Sequence, residues 1–102
     1  MLVSFPFTDS PRGKRRPALV LADAGDGDTL LARISTRQPS APEDVIVSDW
    51  DRAGLLLPSC VRLHKLATLN AGLLVRDIGK LSQSDLGRVA SALVLLWQNL
   101  AR

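Results

Sequence analysis

Aromatic residues, cysteine and histidine are all scarce in this chain of 102 residues. Aromatics make up 4%, with two Trp, two Phe and no Tyr. The stacking platforms of RRM-type and OB-type RNA-binding domains therefore lack their side chains. The single cysteine, Cys60, cannot form an internal disulfide, and with His64 as the only histidine there are too few ligands for a typical zinc site. We expect no metal, no cofactor, a reducing compartment, and a buried, unreactive Cys60.

Several targeting and nucleotide-binding signatures are missing as well. The first residues show no basic stretch followed by a long apolar run, so no secretory signal is expected. The longest apolar stretch, Ala92–Trp97, is far shorter than the roughly 20 residues that a membrane helix needs. The sequence contains no Walker A motif, no GxGxxG and no GxSxG. These absences favour a small cytoplasmic protein with no membrane span, built as one domain over residues 1–102.

Short apolar runs separated by turn residues occupy the first two-thirds of the chain. Pro17–Ala22 is typical of a buried strand, Ala24–Asp28 of a turn, and Thr29–Ser35 of the returning strand of a hairpin. Ser48–Gly54 fits either one turn of helix or a tight loop. Further strands are predicted at Leu2–Phe7, Val45–Val47, Ser59–Leu66 and Leu73–Leu81.

The hydrophobic period changes at Ser82. From there to the end, apolar residues recur at helical spacing, and Ser82 with Asp85 resembles a capping box in which Asp replaces the usual Glu or Gln. Many short strands followed by one amphipathic helix predict a β-rich α+β domain. Its sheet is expected to form a small antiparallel barrel or a curled sheet.

The densest positive charge lies in Arg12–Arg16, with four cations in five positions. Such a cluster either binds phosphate or simply solvates a loop. If the two strands around the Ala24–Asp28 turn pair as a hairpin, Arg16 lies beside Ser35 and Thr36. A cation next to a hydroxyl can hold a phosphate, although a Ser-Thr pair can also just end a strand.

Two further residues share one face of the Ser59–Leu66 strand, namely Arg62 and His64. They either extend a phosphate-binding surface, together with Lys65, or form the solvent face of the sheet. His64 is the natural candidate for acid–base chemistry, since its ordinary pKa lies near neutrality. A lone histidine on a strand is more often structural.

The order of motifs along the chain resembles the PemK/MazF family of toxin–antitoxin toxins. The resemblance starts at Phe5-Pro6-Phe7-Thr8-Asp9 and spans nearly the whole chain. It continues through Lys14-Arg15-Arg16-Pro17-Ala18-Leu19-Val20-Leu21, Ala32-Arg33-Ile34-Ser35-Thr36, Gly54-Leu55-Leu56-Leu57-Pro58-Ser59-Cys60-Val61-Arg62, Lys65-Leu66-Ala67-Thr68-Leu69 and Ile78-Gly79-Lys80-Leu81-Ser82.

This resemblance implies a homodimer of SH3-like barrels that cleaves single-stranded RNA without metal and leaves a 2′,3′-cyclic phosphate. It also implies inhibition by a cognate antitoxin, whose extended acidic tail covers the dimer groove. The family's key arginine corresponds to Arg16. Its hydroxyl residue corresponds to Ser35, or to Thr36 if the register slips by one. The remaining cations near these positions are expected to bind substrate: Lys14, Arg15, Arg37, Arg62 and Lys65.

Three positions depart from the usual pattern of the family. Members commonly have a Gly-Asp pair and more strand before Phe5-Pro6-Phe7. Ser35 stands where Thr is commoner and lacks the methyl group that restricts the rotamer. Lys65 stands where Gln is frequent, which we expect to strengthen phosphate binding.

Two other functions are compatible with the same fold. The alternatives to a ribonuclease are a gyrase-poisoning toxin, which binds protein and cleaves no RNA, and a degenerate toxin that only binds its antitoxin. A gyrase-type toxin would act through its last helical residues, here Leu96–Arg102. We expect Trp97 to pack in the core or in a dimer contact rather than to touch such a target.

Overall fold

The computed structural model describes residues 1–6, 15–23, 25–73 and 76–100. Within these ranges the chain forms six strands and one long helix, so every predicted strand and the predicted C-terminal helix are present. The elements are β1 (Leu2–Pro6), β2 (Arg15–Asp23), β3 (Asp28–Ser35), β4 (Asp44–Val47), β5 (Ser59–Asn70), a short 3-10 helix (Ala71–Leu73), β6 (Arg76–Gly79) and α1 (Gln83–Leu100).

All of the strand pairs are antiparallel, and the strands lie in the order β4-β5-β3-β2-β1-β6. The β-rich α+β class with a C-terminal helix is thereby confirmed. The sheet is not closed, because β4 and β6 are its two edges in the described part of the chain. Register shifts interrupt the β1–β6, β2–β3 and β3–β5 pairs, and such irregularities curl a sheet.

The β2–β3 turn forms where the sequence predicts it. Gly25 and Gly27 have φ of +78° and +94°, which glycine adopts without the steric cost that other residues incur. The carboxylates of Asp23 and Asp26 accept hydrogen bonds from the amides of Gly25 and Asp28, at 2.9 and 3.0 Å. This turn leads into the pairs Asp23–Thr29 and Ala22–Leu30, and the register then shifts by one residue before Ala18 pairs with Arg33.

The two faces of the sheet carry different clusters of buried residues. One face packs against α1 and forms the main core, which includes Leu19, Ile34, Val61 and Leu63 from the strands and Val89 from the helix. The opposite face has a smaller cluster: Val3, Ala18 and Leu31, with Val20 and Leu69 against them. Because side chains alternate along a strand, a residue next to a core position faces away from α1.

The Ser48–Gly54 segment forms tight turns and no helix. It is fixed by Asp85, whose side chain is fully buried and whose two oxygens accept hydrogen bonds from the amides of Ser48 and Asp49, at 3.1 and 3.0 Å. The Ser82 hydroxyl accepts a hydrogen bond from the Asp85 amide at 3.1 Å, which is the first half of the predicted capping box. The second half is absent, since the Asp85 carboxylate bonds to the distant turn and to Arg88 instead.

Candidate active site

Charged and polar residues gather on the face of the sheet opposite α1, at one end. On β3, Ala32 and Ile34 belong to the main core, so the intervening Arg33 and the following Ser35 lie on the other face. On β5, Val61 and Leu63 are fully buried in that core, which places Arg62 between them on the opposite face. The predicted division of β5 into an apolar and a polar face is thus confirmed.

Strand register brings Arg16 and Ser35 to the same end of the sheet. The β2–β3 pairing ends with Ala18 opposite Arg33, and the same register continued by two residues sets Arg16 opposite Ser35. Ser35 in turn pairs with Cys60 of β5. Neighbouring strands lie about 4.8 Å apart, so Arg16, Ser35 and Cys60 occupy consecutive positions in one cross-strand row.

The Ser35 hydroxyl organises the turn that follows β3. Its Oγ accepts a hydrogen bond from the Arg37 amide at 3.1 Å, and the side chain is half-buried. A hydroxyl has one proton to donate besides the lone pairs that accept. Since Ser35 is the acceptor in this bond, its proton is available to an anionic ligand. Thr36 and Arg37 are exposed directly beyond it.

A second cross-strand row contains Arg33, Arg62 and Asp44. Arg62 pairs with Arg33 on one side and with Asp44 of β4 on the other. Two like charges placed directly opposite one another repel, and the carboxylate of Asp44 offsets that repulsion. The Arg62 guanidinium also donates a long hydrogen bond, 3.5 Å, to the backbone carbonyl of Gln38.

Asp44 joins this row to the loop that follows Ser35. Its side chain is fully buried, and Oδ2 accepts hydrogen bonds from the amides of Ser40 and Ala41, at 2.8 and 3.1 Å. Oδ1 accepts no hydrogen bond from the described residues, but His64 Nδ1 lies 3.3 Å away, within ion-pair distance when the imidazole is protonated. Burial by itself would raise the pKa of Asp44. The two amides, Arg62 and His64 outweigh it and lower the pKa below its ordinary value.

Cys60 is a buried free thiol, as expected from the sequence. Its Sγ donates to the backbone carbonyl of Arg37 at 3.7 Å, so it too helps to hold the segment after Ser35. Burial and the nearby Asp44 carboxylate raise the pKa of this thiol. Cys60 therefore stays protonated at neutral pH and is a poor nucleophile.

The predicted site residues differ in how they are placed. Arg16, Ser35, Thr36, Arg37 and Arg62 come to one end of the sheet. Lys65 is exposed in the irregular stretch of β5 where the pairing with β3 shifts. Lys14 lies outside the described residues, and Arg15 is described only by its backbone pairing with Pro6 of β1.

A cleft adjoins this end of the sheet, and sequence reasoning did not identify it. Its volume is about 290 Å³, and its lining includes Thr36, Gln38, Ile46, Trp50, Pro58 and Cys60. Asp44 was likewise missed. Both depend on the pairing of β4 with β5, and the sequence signal for β4 is limited to the short apolar run Val45–Val47.

Comparison with known proteins identifies the family. The sequence pattern of the PemK-like, MazF-like toxins of type II toxin–antitoxin systems matches residues 1–97, so the chain belongs to this family. No curated protein sequence matches it at the required significance. Among the described residues, no helix is long and apolar enough to cross a membrane.

Solved structures of toxins resemble the chain over most of its length. The Mycobacterium tuberculosis toxin MazF-mt6 is 26% identical, with a TM-score of 0.73 over 90% of this chain and 91% of that one. A MazE–MazF complex from Deinococcus radiodurans is 24% identical, with a TM-score of 0.74 over 94% and 89%. An endoribonuclease in complex with its cognate antitoxin, from Mycobacterial species, is 16% identical, with a TM-score of 0.75 over 92% and 87%. The likenesses to the Deinococcus radiodurans complex and to the endoribonuclease, both below 25% identity, show the fold alone.

Proposed function

We propose that residues 1–102 form one toxin domain that acts as a metal-independent endoribonuclease on single-stranded RNA. The observation that carries this proposal is the β2–β3 pairing of Ala18 with Arg33, whose register, continued by two residues, sets Arg16 opposite Ser35, next to the row of Arg33 and Arg62. A fixed guanidinium beside a hydroxyl donor suits a phosphate diester, whose non-bridging oxygens gain negative charge as the reaction proceeds.

The reaction that fits these groups is an internal transfer within the RNA. The 2′-hydroxyl attacks its own 3′-phosphate, a bond from O2′ to phosphorus forms, and the bond from phosphorus to the 5′ oxygen of the next nucleotide breaks. The products are a 2′,3′-cyclic phosphate and a free 5′-hydroxyl. Arg16 and Ser35, with Thr36 next to it, stabilise the charge on the phosphate.

Proton transfer requires a separate assignment. The leaving 5′ oxygen must gain a proton, and Arg16 is the donor we assign to it. Arginine is effectively always protonated and is therefore unsuited to removing the 2′-hydroxyl proton. The 2′-hydroxyl proton passes to water, from which Arg16 regains the proton that it donates, so the proposal assigns no protein side chain as the base. Arg37, Arg62 and Lys65, with Lys14 and Arg15, bind the phosphates on either side.

The proposed assembly is a homodimer in the cytoplasm, inhibited by a cognate antitoxin. Exposed apolar side chains near the end of α1, namely Val94, Leu95 and Trp97, support a protein contact there. The net charge of +3 and the cationic end of the sheet favour both RNA and an acidic antitoxin segment. If RNA and the antitoxin bind the same site, the bound antitoxin inhibits cleavage by excluding RNA.

A gyrase-type, protein-binding toxin is the second candidate. The observation that favours it is Trp97, which is 72% exposed and so does not pack in the core of the single chain. In that function the end of α1 acts and Arg16 has no role. A toxicity assay in cells with Arg16→Ala separates the two candidates, because only the ribonuclease requires Arg16.

The decisive experiment incubates purified protein with mixed-sequence single-stranded RNA in excess EDTA and maps the product ends. Wild type is expected to leave 2′,3′-cyclic phosphates. Arg16→Ala is expected to lose activity by about 100-fold or more, the usual cost of removing one donor to a developing oxyanion. Ser35→Ala should lose about tenfold or more on the same ground.

A matched control for Ser35→Ala is available on α1, which packs on the other face of the sheet. Ser91→Ala, at an exposed position of this helix, should cleave like wild type. Cleavage by Arg16→Ala at the wild-type rate would overturn the assignment. A folded protein that cleaves no RNA at any salt concentration would favour the gyrase-type or antitoxin-binding function.

A further inference from the structure

The cleft beside Ser35 lies between two segments that are far apart in sequence. One wall is the stretch Thr36–Pro39, and the other contains Trp50 and Pro58. Val47 and Cys60, whose side chains are buried, also line the cleft. Cys60 is the direct strand partner of Ser35, and paired residues lie about 5 Å apart. The cleft therefore begins next to the hydroxyl that we assign to the phosphate.

Backbone contacts hold the Thr36–Pro39 wall in place. The Arg37 carbonyl accepts from the Cys60 thiol, and the Gln38 carbonyl accepts from Arg62. The opposite wall is equally supported, because Asp85 binds the amides just before Trp50, and Trp50 itself is half-buried against the main core. The cleft is thus a built feature with two supported sides.

The side chains that line the cleft combine apolar surfaces with hydrogen-bonding groups. Trp50, Pro39 and Pro58 provide flat apolar surface, and Ile46, which is 56% exposed, adds an aliphatic one. In the described part of the chain, the Gln38 side-chain amide has no hydrogen-bond partner. The Ser59 hydroxyl donates to the Leu57 carbonyl at 2.7 Å and so presents only lone pairs to the cleft.

This combination matches a nucleobase. A base has two apolar π-faces that stack on aromatic side chains, and an edge of donors and acceptors that amides read. An amide such as that of Gln38 can donate and accept at once, as base edges require. Arg37 is the single cation among the described residues that line the cleft, so an acidic peptide would find one positive charge beside two prolines and an indole.

We propose that this cleft binds the nucleobase of the nucleotide adjacent to the scissile phosphate, with Trp50 as stacking surface and Gln38 as reader of the base edge. The inference rests on the proposed ribonuclease function, because the phosphate held at Arg16 and Ser35 is what delivers the base to the cleft. Gln38 and Trp50 are then specificity-determining residues, and base preference at one nucleotide position depends on them.

The binding test uses the intrinsic fluorescence of Trp50. The chain has two tryptophans, so a Trp97→Phe background leaves Trp50 as the only indole. The probe is a mixed-sequence, 2′-O-methylated RNA oligonucleotide, which cannot be cleaved by attack of a 2′-hydroxyl. It is expected to quench Trp50, whereas an abasic oligonucleotide of the same length and charge is not. Trp50→Phe, assayed in a competition format, should weaken binding by less than the roughly tenfold loss of a whole stacking contact, because phenylalanine keeps a smaller aromatic face.

The specificity test compares two exposed glutamines. Wild-type protein, Gln38→Ala and the control Gln98→Ala, on α1, are given a mixed-sequence RNA, and the cleavage ends are sequenced. In Gln38→Ala, the preference for one base over the others at one position next to the cut should fall about tenfold, as expected for the loss of one hydrogen-bonded base contact. Gln98→Ala should keep the wild-type preference. Because Gln38 is exposed, this variant remains informative even if Trp50→Phe folds poorly.

The outcomes separate this inference from the proposed function. RNA cleavage with unchanged Trp50 fluorescence and unchanged preference in Gln38→Ala would overturn the nucleobase site and leave the ribonuclease standing. Absence of both cleavage and oligonucleotide binding by folded wild type would overturn both. Quenching of Trp50 by an acidic antitoxin-type peptide, with none by the oligonucleotide, would overturn the nucleobase assignment in favour of a protein ligand.

Discussion

Asp44 shows how a single buried carboxylate can connect a loop to a charged strand. Its Oδ2 accepts from two loop amides, and its Oδ1 faces His64 while Arg62 lies opposite on β5. The loop it holds begins directly after Ser35 and forms one wall of the cleft. Asp44 is therefore a positioning residue for the site rather than a group that touches substrate.

The lowered pKa of Asp44 predicts a pH-dependent contribution to stability. Because the folded-state pKa lies below the ordinary value of about 3.9, the contribution is complete above that value and is lost as pH falls through the folded-state pKa. Asp44→Asn should lower the free energy of unfolding by about 1–3 kcal/mol at pH 7. Urea denaturation at pH 7 and near pH 3 should show this difference shrinking at the lower pH.

A suitable control for that experiment is Asp51→Asn. Asp51 is exposed, and among the described residues its carboxylate accepts a hydrogen bond from the neighbouring Arg52 amide alone. Its unfolding free energy should stay within about 0.5 kcal/mol of wild type at both pH values. A difference for Asp44→Asn that is equal at pH 7 and pH 3 would contradict the assigned cause of the pKa shift.

At the level of whole elements, α1 supports the site through its first turn. Asp85 is fully buried and bonds to Ser48, Asp49 and Arg88, so it joins the start of the helix to the turn that leads into Trp50. The helix packs on one face of the sheet while the site lies on the other. The helix therefore positions the cleft through the hydrogen bonds of Asp85 to the Ser48–Gly54 turns.

Removing the Asp85 carboxylate should be among the costlier single changes in the chain. Asp85→Ala leaves two backbone amides without their acceptor and leaves Arg88 unpaired, so we expect a loss of about 3 kcal/mol in unfolding free energy. Arg88→Ala should cost less, because Arg88 is 45% exposed and Asp85 keeps both amides. Thermal and urea denaturation measure both variants. Equal stability of Asp85→Ala and Arg88→Ala would show that the amide bonds contribute little.

Much of the strand and helix pattern could be predicted, since alternation and helical spacing are local properties. The Gly-Asp turn predicted a hairpin that brings Arg16 near Ser35 or Thr36, but the choice between these two depends on the register shift between Val20 and Ala22, for which the sequence has no local signal. Asp85 was read only as a helix cap, because its bonds to Ser48 and Asp49 join segments more than 30 residues apart. The cleft and the role of Asp44 were missed for the same physical reason: they arise from β4–β5 pairing and not from any local pattern.

The whole molecule exposes apolar side chains on α1 that a single chain does not cover. Trp97 was expected in the core or in a dimer contact, and its 72% exposure excludes the core. Val94 and Leu95, both more than half exposed, lie within one helical turn of it. In a symmetric dimer the same apolar surface is buried on both protomers, so a second copy of this chain is the simplest partner to cover it.

Trp97→Glu is therefore expected to shift the protein from dimer to monomer. A charge placed in a buried apolar contact loses its hydration without gaining a partner, and two copies of it approach each other across a symmetric interface. Sedimentation over a range of protein concentrations measures the shift. Gln98→Glu, which adds the same charge at the next exposed residue, should remain dimeric. A dimer that persists in Trp97→Glu would place the dimer contact elsewhere and leave the end of α1 as the surface for another protein, as the gyrase-type function requires.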